Sequence, residues 1–378
     1  MAVWGLPGPE VILGQFYPPE VSLFPDNFDP LQVRIEYERF LRILRSFPLE
    51  VEIIQDRLVE TVEGFEFPHA PKTLKDLIHK IEDKGLRIHH ETGRGYLNNL
   101  DLVEAFLQDD LQRLGERKAI ILNYLLSLHR EVPLANTFFG RDQSNVLGDK
   151  IFFSRMRWPI RQREVGLYRT AYKGFPQFQL GGENVFLEGG DGIMFDGMCL
   201  IGAGGRTSLE AIIQITPTLL RCEGIKSVFA IVHPDLDTKK MTISGPEMSA
   251  MHLDTYFMPL RSNLVVCCLE EASKRDVFQV INTESGQIIL VPQGKFSDFI
   301  QRQEWKVIDV PIAEQRQHGT NFLVVNDKII IASLPENKIT LQTIKSHGVF
   351  IYQGNIRSIT NCGGGVHCLT ASLKRGET

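Results

Sequence analysis

Cysteine is scarce in this chain. Six occur in 378 residues, at positions 199, 222, 267, 268, 362 and 368, and none stands in the CxxC or CxxH spacing of a zinc site. That usage reads as a reduced, cytoplasmic protein. Long apolar runs are also missing. The stretch Ala119-Ile120-Ile121-Leu122 falls far short of the roughly 20 residues that span a bilayer, so no membrane partner is expected. The first fourteen residues carry no basic region ahead of an apolar core, which argues against a secretory signal. Positive charge is not in excess. The formal net charge is -5, which argues against a nucleic-acid partner. One basic cluster, Arg155, Arg157, Arg161 and Arg163, could read carboxylates or be a solvated surface. No repeat and no low-complexity segment is visible. A hydrophobic content of 43% and a charged content of 23% lie in the globular range, and the length suffices for one large domain or two ordinary ones.

The periodicity divides the chain in three. In the first region, 31–47 repeats apolar residues at helical spacing (Leu31, Ile35, Phe40, Leu41, Leu44), and 51–54 reads as a strand. In the second, Thr73-Leu74-Lys75-Asp76 resembles a capping box ahead of Leu77, Ile78 and Ile81, and further helical patterns follow to about 130. An inserted helical subdomain at 70–132 is the expectation. From about 150 strands dominate: 151–153, 198–201, 228–232, 264–269, 288–291, 328–332 and 349–352. Thr207-Ser208-Leu209-Glu210 opens a helix that Pro217 should end, and 340–345 is a second helix. The alternation predicts an α/β or α+β fold.

Three short motifs carry chemistry. Glu188-Gly189-Gly190-Asp191 puts two carboxylates near a tight turn whose glycines admit a ligand to the backbone; the same residues would also make an acidic surface turn. His252-Leu253-Asp254, if extended, points a histidine and an aspartate to one side. The histidine suits proton transfer and the aspartate suits a guanidinium, although a surface pair or half of a metal site would look alike. Gly363-Gly364-Gly365-Val366-His367-Cys368 offers a thiol in a glycine loop, where a nearby cation would favour the reactive thiolate. An inert thiol is the alternative, and Cys362 is the weaker nucleophile candidate. A fourth stretch, Asn136-Thr137-Phe138-Phe139-Gly140-Arg141-Asp142, adds Asp142 as a second clamp or a loop cap.

Taken together, these motifs resemble the guanidino-group modifying superfamily, and within it arginine deiminase, which has Glu-Gly-Gly-Asp, His-Leu-Asp and a C-terminal Gly-Gly-Gly-x-Cys segment in this order. Pro7-Gly8-Pro9-Glu10, Met156-Arg157-Trp158-Pro159-Ile160-Arg161 and the segment Gly202 through Ser208 are similar to further family segments, and the helical insertion is typical of arginine deiminases. The resemblance implies one catalytic domain over 1–378, a five-bladed α/β propeller (the pentein fold, ββαβ units about a pseudo-fivefold axis). It implies Cys368 as nucleophile, His252 as general acid and base, and Glu188 as guanidinium ligand and proton-transfer partner. Asp142 and Asp254 would clamp the guanidinium, and Arg161 and Arg206 would hold a substrate carboxylate. Asp191, Asn136 and Phe139 would complete the binding site. The implied reaction is covalent, needs no metal or cofactor, and turns a small guanidino compound into a ureido product such as citrulline plus ammonia. A homo-oligomer is plausible from the family.

Three departures stand out. The family's arginine before the glycine loop is absent from Thr360-Asn361-Cys362-Gly363, Gly140 replaces a threonine, and the stretch between Asp254 and Cys368 is shortened and divergent. They leave the substrate open between free L-arginine and another guanidino compound. An amidinotransferase, a non-catalytic binding protein of the same fold, and a metal hydrolase on His252, Asp254 and Glu188 are the competing readings.

Overall fold

Antiparallel hairpins, three of which recruit a parallel third strand, organise this α/β chain among the described residues. The structure, a computed structural model, describes residues 1–8, 11, 23–25, 29–62, 134, 136–175, 178–233 and 250–372. The expected helical insertion at 70–132 lies outside the described residues, as do Pro9 and Glu10. Among the described residues the strands form five sheets.

In the first sheet β1 (Ala2–Val3) pairs in parallel with β2 (Glu52–Ile53), and the last strand of the chain, β16 (Thr370–Ala371), lies antiparallel on the other edge of β1. The helix Pro30–Arg45 makes the crossover that a parallel pair requires. Next come β3 (Ser144–Leu147) and β4 (Lys150–Phe153), an antiparallel pair followed by the helix Pro159–Ala171. The third unit has β5 (Gly192–Phe195) against β6 (Met198–Ala203), the helix Leu209–Leu219, and β7 (Ser227–Val232) parallel to β6. The fourth has β8 (Phe257–Arg261) against β9 (Leu264–Cys267). From it β10 (Asp276–Asn282) and β11 (Ile288–Lys295) leave to extend the third sheet beyond β7, before β12 (Lys306–Asp309) returns parallel to β9. The fifth repeats the order with β13 (Leu323–Asn326), β14 (Ile329–Ala332), the helix Lys338–Ser346 and β15 (Phe350–Gln353).

Several local expectations need correction. The helix Pro30–Arg45 is capped by Asp29, whose side chain accepts from Gln32 N at 3.0 Å, and Pro30 occupies its first turn. Its inward stripe is Val33, Tyr37, Phe40, Leu41 and Leu44; Leu31 and Ile35 face outward at 38% and 37% exposure. The two stripes differ by a fraction of a turn, and only the first shares a face with the buried aromatics. The strand expected over 51–54 keeps only Glu52–Ile53, because Ile54 starts the helix Ile54–Val62. The strand expected to reach Leu269 stops at Cys267, where Cys268 leads into the helix Leu269–Ala272. Pro217 lies inside the helix Leu209–Leu219 rather than at its end, and Ser208, not Thr207, is its cap. No helix among the described residues is long and apolar enough to cross a membrane.

Candidate active site

The acidic motif turns tightly. Gly189–Asp191 is a single 3-10 turn feeding β5, and it swings Glu188 into the interior. Glu188 Oε2 lies 3.0 Å from His252 Nε2 and 3.3 Å from Arg206 Nη1, while Oε1 accepts from Arg157 N at 2.9 Å. Thr207, displaced from its expected capping role, accepts the Glu188 backbone N–H at 3.0 Å. Gly190 cannot be larger: a Cβ there would stand 2.6 Å from His252 Nδ1, so the imidazole packs on bare backbone.

His252-Leu253-Asp254 is not a strand. Leu253–Thr255 forms a 3-10 turn, with His252 extended just before it. The turn is pinned because Asp191 Oδ1 accepts from Leu253 N at 3.0 Å and Thr255 Oγ1 donates to His252 O at 2.6 Å. Asp191 therefore couples the two motifs. His252 and Asp254 still serve one cluster. His252 Nδ1 is 3.7 Å from Asp142 Oδ1, and Asp254 Oδ2 is 3.9 Å from Cys368 Sγ.

Opposing forces set the charges here. Burial disfavours the His252 imidazolium, but the carboxylates of Asp142, Asp191 and Glu188 outweigh it and push its pKa up to about 9. Burial likewise opposes the Glu188 carboxylate, yet Arg206 and His252 hold it down at about 2. Asp191, dominated by burial, rises to about 7. Asp254 is held below the usual carboxylate range, against its burial, by His367, His252 and Arg141. Burial, then the carboxylates of Asp254 and Asp142, drive the Cys368 thiol well above its usual value, with Gly365 and Asn321 pulling the other way. These surroundings favour the protonated thiol at Cys368 and the protonated imidazole at His252.

The loop bearing Cys368 is fastened from several sides. The helix Arg357–Thr360 launches it, and Glu36, reaching across from the helix Pro30–Arg45, accepts Ser358 N and Ile359 N at 3.0 and 3.1 Å. Cys362 is buried just after that helix with its sulfur toward Ser358 O, away from the cluster's partners. Gly364 packs on Phe139, whose ring a Cβ would approach to 2.4 Å. Arg141 N donates to Cys368 O at 3.0 Å, and its guanidinium reaches His367 O and Thr370 Oγ1 at 3.4 and 3.3 Å.

Two carboxylate oxygens in the cluster, Asp142 Oδ1 and Asp254 Oδ1, are buried without a hydrogen bond. Their sister oxygens are taken: Asp142 Oδ2 by Arg161 Nη1 at 2.6 Å and Asp254 Oδ2 by His367 Nδ1 at 2.7 Å.

The structure thus brings Cys368, His252, Glu188, Asp254 and Asp142 into one buried cluster. Arg161 and Arg206 stand differently from the expectation. Arg161 is engaged by Asp142, by Glu164 at 3.0 Å and by Asn136 O at 3.4 Å, and Arg206 by Glu188 and the Trp158 ring. Asn136 contributes that carbonyl, and Phe139 packs on the loop bearing Cys368. The sequence reading missed Glu164 and Asn321. Glu164 follows Arg161 at i+3, which is a usable signal; Asn321 sits in no motif. Among the described residues no group of three or more His, Cys, Asp or Glu side chains is arranged to hold a metal ion.

Residues 22–375 match the family model described as arginine deiminase. Arginine deiminase of Listeria monocytogenes (serovar 1/2a) is 24% identical, over 94% of this chain and 90% of its own. The uncharacterized protein YkgA of Bacillus subtilis is 28% identical over 65% of this chain and 72% of its length. Among solved structures, the ternary complex of AgrE with ornithine and NAD+ is 18% identical with a TM-score of 0.49. It covers 66% of this chain, which spans only 32% of AgrE.

Proposed function

Because the chain belongs to the arginine deiminase family, we propose that it hydrolyses the guanidinium group of arginine or a related guanidino compound to a ureido product and ammonia. The observation that carries this reading is the pair of buried oxygens without a hydrogen bond, Asp142 Oδ1 and Asp254 Oδ1, belonging to the same two carboxylates that press on the Cys368 thiol. A buried acceptor left unpaired costs about 1–3 kcal/mol. A planar guanidinium, with five N–H donors in a fixed fork, answers both at once and carries the compensating charge.

That charge also explains how a reluctant thiol reacts. As the guanidinium enters, Cys368 gives its proton to solvent, and the cation stabilises the thiolate. The sulfur forms a bond to the guanidinium carbon, giving a neutral tetrahedral adduct. The His252 imidazolium, held by Glu188, protonates one amino group. The C–N bond breaks, ammonia leaves, and a cationic S-alkyl thiouronium remains on Cys368. Neutral His252 then takes a proton from water, the hydroxide adds to the same carbon, and the C–S bond breaks to return the thiolate. The surplus proton leaves with ammonia as ammonium. For Arg161 and Arg206 we favour a task other than carboxylate binding: they neutralise Asp142 and Glu188 and fix where those acids point.

The repeated hairpin-plus-parallel-strand order supports a pentein arrangement about a pseudo-fivefold axis, in one catalytic domain over 1–378 with a helical insertion at 70–132. A reactive thiol needs reducing surroundings, so we place the chain in the cytoplasm.

A substrate panel tests the proposal. L-arginine, agmatine, methylated arginines and guanidino acids are incubated with the enzyme at neutral pH under reducing conditions, with and without an added amine. Ammonia and ureido product in equal amounts from one of them is the expected result. Turnover only with the amine would make the chain an amidinotransferase, and no turnover of any compound would overturn the hydrolase reading.

A further inference from the structure

Asn321 lies in the short segment between the turn at Thr320 and β13, remote in sequence from every motif, and it is fully buried. Its side chain touches the sulfur: Nδ2 is 3.3 Å from Cys368 Sγ. Oδ1 accepts the His367 backbone N–H at 3.1 Å and lies 3.6 Å from the same sulfur, so Nδ2 is the nearer end of the carboxamide and the one able to donate once the thiol is ionised. Nδ2 also stands 3.4 Å from Asp254 O, which ties the amide to the opposite wall of the cluster.

The amide is itself rigidly held. Ser333 Oγ donates to Asn321 O at 2.6 Å and accepts from Val366 N at 3.0 Å, joining β14's end to the nucleophile loop through this one residue. On the other side Gln315 Nε2 and Thr320 Oγ1 both donate to Thr255 O, locking the segment ahead of Asn321 to the turn that carries Asp254. A Cβ at Gly365 would approach Asn321 Oδ1 to 2.5 Å, so the loop is shaped around the amide.

We infer that Asn321 is a catalytic residue of this site, donating its carboxamide N–H to Cys368 Sγ so as to stabilise the thiolate and aim it at the guanidinium carbon. The inference rests on the proposed role of Cys368 as nucleophile and names the group that opposes the carboxylates around it. Asp254 and Asp142 press the sulfur toward the protonated form, while His367, His252 and Arg141 hold Asp254 in its charged form. A neutral donor in contact with sulfur favours the anion without pairing with those acids.

Alkylation of the full-length protein by iodoacetamide decides it, followed at Cys368 by peptide mass spectrometry from pH 6 to 10.5. The thiolate displaces iodide and forms a thioether, so the rate reports the thiolate fraction. Asn321→Ala should displace the rising limb upward by about one pH unit, about tenfold slower at any pH on it, as one hydrogen bond to a charged atom implies. Asn321→Ser, too short to reach the sulfur yet able to serve the backbone neighbours, should do the same and decides the matter if the alanine variant does not fold. Ser333→Ala, which loosens the segment without touching sulfur, should leave the limb in place even where the melting temperature falls. A limb in Asn321→Ala or Asn321→Ser that coincides with the wild type's would overturn the assignment, as would an equal displacement in Ser333→Ala. Alkylation of Cys368 that leaves turnover intact would instead sink the nucleophile reading itself.

Discussion

Arg161 Nη1 lies 2.6 Å from Asp142 Oδ2 with both side chains buried, so the chain carries a guanidinium of its own against a carboxylate assigned to the substrate's. Glu164 completes the arrangement by accepting from Arg161 Nε at 3.1 Å, while Gln143 Nε2 donates to the same oxygen at 2.8 Å. Two acids and one base buried together are tolerable only as a set.

Arg161→Gln should therefore lower the free energy of unfolding by about 3–5 kcal/mol, the usual cost of stranding a buried carboxylate. Urea unfolding at pH 7.5 measures it. A loss below about 1 kcal/mol, typical of a surface pair, would show that the pair holds nothing in place.

Cys368→Ala should fold normally, bind the guanidino substrate and turn over none of it. Intact-mass analysis of the wild type quenched in acid during turnover should reveal the thiouronium adduct, localised to the peptide containing residue 368. Adduct at Cys362, or turnover in the alanine variant, would move the nucleophile elsewhere.

The pH dependence has a definite sign. His252 is raised from 6.5 to about 9 by its carboxylate neighbours. Its contribution to stability is then fully present below about pH 6.5 and is lost as pH rises through about 9. Thermal melts from pH 6 to 10 should show that descent in the wild type and a flatter curve in His252→Gln. Turnover should fall over the same upper range, because the imidazolium that protonates the leaving amine disappears. Activity that keeps rising beyond pH 10 would exclude His252 as that acid.

Gly190→Ala places a methyl 2.6 Å from His252 Nδ1, too close for the imidazole to stay where it is. A displacement on the order of 1 Å costs about a hundredfold in rate when a group must meet the reacting atoms. Steady-state kinetics should show that loss mainly in kcat, with an overpacking cost of about 1–3 kcal/mol in stability. Wild-type kcat in this variant would mean that the ring's position is not critical.

What the sequence disclosed was chemistry, and what it withheld was partnership. Glu188, His252, Asp254, Asp142 and Cys368 were visible because acids, histidine and thiol stood in short glycine-marked motifs. An extended run and a 3-10 turn look alike over three residues, and the bonds that select the turn here, Leu253 N to Asp191 and Thr255 Oγ1 to His252 O, come from partners that the motif alone does not reveal. Asn321 was invisible because its partner, Cys368, is 47 positions away. Arg161 was read as facing a ligand because an arginine's sequence neighbours do not reveal whether Asp142, nineteen positions earlier, has already claimed it. The helix Pro30–Arg45 was recognised while its buried stripe was misjudged at Leu31 and Ile35, since two apolar stripes lay close together.

The pairing of Ala2–Val3 with Thr370–Ala371 has a consequence for biosynthesis. A ribosome releases residue 371 long after residue 2, so the first sheet has to wait for nearly all of the described chain before it can close. Cys368 lies two residues before that closing strand, and its carbonyl is held by Arg141. Bringing ends so distant together costs on the order of 5 kcal/mol of chain entropy from the logarithm of loop length alone, recovered only once the partner strand is present. The Cys368 thiol thus takes its place only after residues 370–371 have been made, and the cluster it joins cannot be complete before that sheet has been zipped shut.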